Sequence, residues 1–215
     1  DDPACKSSTI PSASEGVLAD LSMPTLYPAS VQDVLDMGRW GYELSRTCGS
    51  WVGFKIHTDV ADQYATVDID PRRLDRITRP PELDGWAAQH SPSMVAPVSL
   101  QVEVDAYGRR LDAARAFVAH NRLDRTTGAA DGALGIVAAG KAFTDLMGAL
   151  AELGLGDTGA REAAGIRIWR PARIWPLEAD GLRRFADGLD ELLIVEEKRA
   201  FIETQVRDLL FDAPV

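Results

Sequence analysis

The chain has 215 residues, 46% of them apolar and 26% charged, with 33 acidic side chains against 23 Lys and Arg, a formal net charge of −10. That content supports one large core or two modest ones, and the acidic balance provides no overall field to draw in nucleic acid or an anionic membrane, so neither is expected as a partner. No apolar run reaches the roughly 18 residues of a membrane helix, and DDPACKSSTI lacks the basic and apolar regions of a secretory signal, so a cytoplasmic location is expected.

Asp1-Asp2-Pro3 reads as the exit from a completed strand. Cys5 and Cys48 have neither metal-site spacing nor disulfide-scaffold density, and free thiols are expected. PTLYP, from Pro24 to Pro28, is a short strand fenced by prolines, which suits an edge or a brief central strand. From Ser30 to Thr47, Val31, Val34, Leu35, Trp40 and Leu44 recur at largely helical spacing behind Ser30 as N-cap, and Gly49 ends the helix. WVGFKI, Trp51 to Ile56, then has the length and content of a buried strand.

From Pro71 to about Asp131, proline pairs and turn residues mark a connector with one or two helices. Its later part, Ala106 to Leu123, is amphipathic, and its arginines are expected to form a solvated face. His90 and His120 fall here without partners at ligand spacing, so no metal site is expected. After Asp131 the order is ALGIVAAG as strand, KAFTDLMGALAELG as helix and IRIWRPARIWP as a further strand. LEADGLRRFADGL follows as helix, ELLIVEE as a third buried strand and RAFIETQVRDLLFD as a closing helix. Alternating strand and helix predicts a three-layer α/β/α domain with a mostly parallel sheet.

Three segments in one order, DDPACKSSTIPSASE, LYPASVQDVLDMG and WPLEADGLRRFADGLDELLIVEEKRAFIETQV, resemble the thiamine-diphosphate-dependent 2-oxoacid:ferredoxin oxidoreductases, and within them the indolepyruvate:ferredoxin oxidoreductase type. The last segment is the most specific, running from Pro176 to Glu196-Glu197. The resemblance implies an internal piece of a longer polypeptide. Residues 1–70 would be the C-terminal half of a pyrimidine-type thiamine-binding domain, 71–130 the connector, and 131–215 a transketolase C-terminal-like domain. It implies thiamine diphosphate, magnesium and iron–sulfur clusters in the full-length enzyme, none of them held by this piece. Its partners would be the remaining domains of the parent, ferredoxin, CoA and an aryl 2-oxoacid, in a homodimer. The aminopyrimidine-bonding glutamate and the GDG…N magnesium signature have no match here, since GDT at Gly156 to Thr158 lacks its asparagine. The piece alone is therefore expected to be inactive, because the cofactor carries this chemistry and protein only orients it.

In the family, the loop after the first Asp-Asp pair approaches the thiamine and substrate pocket, which here implicates Lys6, Ser7, Ser8 and Thr9. Hydroxyls beside a lysine suit a carboxylate or diphosphate, although turn chemistry explains the same serines. His57 follows the strand WVGFKI, where a proton-transfer group can meet substrate, although a surface or packing histidine is the commoner explanation. Glu196 and Glu197 read as organisers of an interface rather than as a catalytic pair. The competing function is a stand-alone docking or regulatory module on the same fold. A transketolase-type or dehydrogenase subunit would predict a different start.

Overall fold

The computed structural model describes residues 1–73 and 76–212; residues 74 and 75 of the connector and 213–215 of the expected C-terminal domain lie outside the described residues. After the short helix α1 (Glu15–Asp20), β1 (Thr25–Leu26) leads into α2 (Val31–Cys48). The start of α2 is fixed by Ser30, whose side chain accepts from the Asp33 amide at 3.2 Å, while the Asp33 carboxylate accepts from the Ala29 amide at 3.0 Å. Gly49 stops it with φ 70°, a left-handed turn that glycine adopts without penalty. Next come β2 (Gly53–Phe54) and α3 (Thr58–Ala61).

The connector contributes α4 (Val98–Tyr107) and α5 (Arg109–Asn121). The arginine face of α5 is not wholly solvated as expected. Arg110 is buried and donates to the Gly49 and Gln89 carbonyls at 2.9 and 2.6 Å, because carbonyls left over at the end of α2 and in the connector need donors. The apolar side of α5, through Ala114, Phe117 and Val118, packs with Leu26, Met37, Trp40 and Leu44.

The remaining elements are β3 (Arg125–Gly128), β4 (Leu134–Ala138), α6 (Gly140–Glu152), α7 (Thr158–Ala163), β5 (Ile166–Arg170), β6 (Arg173–Trp175), α8 (Ala179–Ala186), β7 (Glu191–Val195) and α9 (Ile202–Leu209). Four of these strands form one sheet in the order β3-β5-β4-β7, with β4 parallel to both neighbours and β3 antiparallel to β5. Side chains alternate across it. Val137 and Trp169 face α8 and α9, where Leu182, Phe185, Ile202 and Val206 close one core, and Ile136 and Ile168 face α6, where Leu150 and Phe143 close the other. The expected three layers are present. The strand ELLIVEE is less buried than expected: β7 is an edge strand, and Leu193 is 47% exposed.

The run IRIWRPARIWP, expected as one strand, is two. Pro171 has no amide for a ladder, and beyond it the chain leaves the larger sheet and enters a smaller one of order β2-β1-β6. There β6 runs antiparallel to β1, and β2 lies parallel on the other side. PTLYP is thus a brief central strand. Asp1 extends this sheet, its nitrogen donating to the Ile56 carbonyl at 2.7 Å and its carbonyl accepting from the Thr58 amide at 2.8 Å, the exchange expected of a parallel bridge.

Candidate functional site

The Asp2 carboxylate organises the first loop. It accepts from the amides of Lys6, Ser7 and Ser8 at 2.8, 2.7 and 2.7 Å, and these bonds, that to Ser7 foremost, hold its pKa down at about 2. Converging amides of this kind make an anion-binding concavity, and here the chain's own carboxylate occupies it. The loop can therefore offer a ligand its side chains but not those three amides.

Lys6 and His57, named separately from the sequence, are brought together by Asp59. The Lys6 ammonium donates to both Asp59 oxygens at 2.9 and 2.8 Å, and the His57 imidazole lies 3.9 Å from the same carboxylate. Nδ1 of His57, a buried residue, accepts from the Asp59 amide at 3.0 Å, so the proton of the neutral ring lies on Nε2. Burial lowers the His57 pKa; Asp59 and Glu197 work in the opposite direction, and Lys141 and Lys55 add to the lowering. Ser7, Ser8 and Thr9 are exposed on the same loop.

Lys141, at the start of α6, reaches Asp59 at 3.5 Å and also pairs with Asp145. Behind these groups, Lys55 is buried 3.1 Å from Glu15 and 3.9 Å from Asp1, with its ammonium 4.4 Å from the centre of the Tyr27 ring. The Tyr27 hydroxyl donates to Glu197 at 2.7 Å; burial first, and Glu197 next, keep it protonated far above its ordinary pKa. Glu197 also accepts from the Ala142 amide at 2.8 Å, capping α6. Glu196 does the same for α9, accepting from the Phe201, Ile202 and Glu203 amides, and burial raises its pKa despite those bonds. The two glutamates therefore hold helix ends, and Glu197 also links Tyr27 to the C-terminal segment.

Sequence reasoning missed Asp59, Lys141, Tyr27 and Lys55. The signal for Asp59 was its place two residues beyond a strand-end histidine, and for Lys141 its place just after the apolar run of β4. His90 and His120 do not join the cluster: His90 lines a hollow of about 620 Å³ near the end of α2, and His120 contacts Thr78 at 2.9 Å. A second hollow, of about 560 Å³, lies between α5, β3 and α8, also away from the strand-end loops. Among the described residues no group of three or more His, Cys, Asp or Glu side chains is placed to hold a metal ion, and no helix is long and apolar enough to cross a membrane.

With this geometry, residues 124–214 match the family model of the indolepyruvate oxidoreductase domain. Over those residues the chain resembles the indolepyruvate oxidoreductases. It is 24% identical over 220 residues to indolepyruvate oxidoreductase subunit IorA of Pyrococcus horikoshii, covering 99% of this chain and 32% of that protein. It is 25% identical over 185 residues to the same subunit of Methanothermobacter thermautotrophicus, covering 86% of this chain and 28% of the relative. The chain thus spans about a third of the length of the curated relatives it matches. Among solved structures it resembles the 2-oxoglutarate:ferredoxin oxidoreductase of Magnetococcus marinus, determined with 2-oxoglutarate, coenzyme A and succinyl-CoA bound, with a TM-score of 0.54 at 13% identity over 88% of this chain and 37% of that one. The likeness is one of fold.

Thiamine diphosphate, which such a family implies, does not fit the described residues as a complete site. The loop amides suited to a diphosphate are already bonded to Asp2. Of the expected site residues, Ser7, Ser8 and Thr9 are exposed, the Lys6 ammonium is bonded to Asp59, and His57 is buried.

Proposed function

We propose that this chain is the part of a cytoplasmic 2-oxoacid oxidoreductase that walls the thiamine and substrate pocket and carries the transketolase C-terminal-like domain. The whole enzyme would oxidatively decarboxylate indolepyruvate or another aryl 2-oxoacid to the acyl-CoA, with ferredoxin as electron acceptor and thiamine diphosphate, magnesium and iron–sulfur clusters as cofactors. The observation that carries this reading is the meeting of Lys6 and His57 at Asp59, beside strand ends, where ligands of open α/β sheets bind. In that reading Lys6 offers a cation to the 2-oxoacid carboxylate, and Ser7, Ser8 and Thr9 offer hydroxyls to the cofactor or substrate. His57, its Nδ1 occupied by the Asp59 amide, would offer substrate a hydrogen bond from Nε2.

The domain division proposed is 1–70, 71–130 and 131–215, in a homodimer of the longer polypeptide. The 215-residue chain alone is expected to bind no thiamine diphosphate in the micromolar range by calorimetry, and to reduce no ferredoxin with indolepyruvate and CoA. Micromolar binding would overturn the claim of an incomplete site. In the longer polypeptide, Lys6→Ala is expected to raise KM for the 2-oxoacid and His57→Ala to lower kcat, each by about tenfold or more; unchanged kinetics in both would overturn the assignment of the wall. The competing reading, a docking or regulatory module, is favoured by the contacts of Glu197 across segments, and it predicts a parent protein without thiamine-dependent turnover.

A further inference from the structure

Open parallel sheets bind ligands in the crevice between two adjacent strands whose following helices lie on opposite faces. In the larger sheet that place is defined. Strands β4 and β7 are parallel neighbours; α6, after β4, packs on the face of Ile136 and Ile168, and α9, after β7, packs on the face of Val137 and Trp169. The crevice therefore opens between Ala139-Gly140 and Glu196-Glu197. It is filled from within. The Glu197 carboxylate caps α6 in place of an anionic ligand, the Tyr27 hydroxyl bonds to that carboxylate, and the space left beside Lys55, Glu196 and Ile202 is about 10 Å³, room for no more than one water.

Two lines of contact run from this filled crevice to the strand-end loops. One is Glu197 to the Tyr27 hydroxyl, the Tyr27 ring to Lys55, and Lys55 to Asp1, whose backbone brackets His57. The other is Lys141, next to the capped amide of Ala142, to Asp59, which holds Lys6 and the His57 turn. Both start in the C-terminal segment and end at residues near the beginning of the chain.

We infer that the crevice is a socket for Tyr27 rather than a ligand site, and that Glu197 and Lys141 are positioning residues which set the His57–Asp59 turn and the Lys6 loop from the other half of the chain. The inference concerns geometry within these residues and stands whether or not the longer polypeptide oxidises an aryl 2-oxoacid.

The test follows the His57 ring signals by NMR through a pH titration of the full 215-residue chain and its variants. The charged groups facing His57 are Asp59 on α3, Lys6 beyond it, Lys55 after β2, Lys141 on α6 and Glu197 after β7. Glu197→Gln removes a neighbour that favours protonation and is expected to lower the His57 midpoint; Lys141→Met removes one that opposes it and is expected to raise the midpoint. A variant that only loosened the fold would move both midpoints the same way, towards that of a solvated histidine. Midpoints that stay in place, or shift together, overturn the inference. Should Glu197→Gln not fold, Tyr27→Phe replaces it: faster hydrogen exchange of the Ala142 and Asp59 amides is expected, and unchanged exchange at both overturns the socket.

Discussion

Arg173 shows what a single buried side chain can demand. In β6 it is 1% exposed, and among the described residues none of its three guanidinium nitrogens has a hydrogen-bond partner. Burial lowers its pKa to about 10, and burial raises that of Asp124, the carboxylate that most opposes the lowering, to about 6. A buried ion without bonds is a net cost unless a counter-charge offsets it. Asp124, with its folded pKa above the ordinary 3.8, contributes stability through its protonated form below about pH 4 and loses that contribution as the pH rises through 6. The sign of Arg173→Met should therefore depend on pH. Near pH 5, with Asp124 mostly protonated, the melting temperature should be unchanged or higher; near pH 8, where the carboxylate loses the counter-charge of Arg173, it should fall. Equal loss at both values would show that Arg173 is held by bonds and not by charge.

At the level of elements, local signals and remote ones separate cleanly. The helix α2 was legible because Ser30 and Gly49 mark its ends in adjacent sequence, and the parallel unit β4-α6-β5 was legible because its apolar runs are long. The division of IRIWRPARIWP into β5 and β6 was only half legible: Pro171 marks the break, but what draws β6 into a second sheet is a partner at Thr25–Leu26, far off in the chain; β3 was too polar to register as a strand. The candidate site behaves likewise. Lys6 and His57 could be named from their places after strands, whereas Lys141 acquires its role only where α6 meets α3 in space. Gly140 belongs to the same junction. Its φ is +53°, and a Cβ there would lie 2.2 Å from the Tyr27 ring. Gly140→Ala is expected to cost about 2 kcal/mol or more in urea unfolding from backbone strain and the clash together. A loss within the range of ordinary surface changes, about 0.5 kcal/mol, would mean that Tyr27 moves freely out of its socket.

Over the whole molecule, the smaller sheet is assembled from both ends of the sequence: β1 and β2 come from its first quarter, and β6, which covers the free side of β1, arrives after the larger sheet has been mostly built. Ala172, beside that strand, shares a core with α2 and α5. The covalent link between the halves, through the turns from about Asp62 to Pro97, is mostly exposed and holds no strand among its described residues. A protease cut there should leave two pieces that co-elute in gel filtration and separate only in denaturant; separation in native buffer would show that β6 and the Glu197 contact do not hold the halves together. A chain joined in this way could be supplied as two polypeptides from two reading frames and still close into one body.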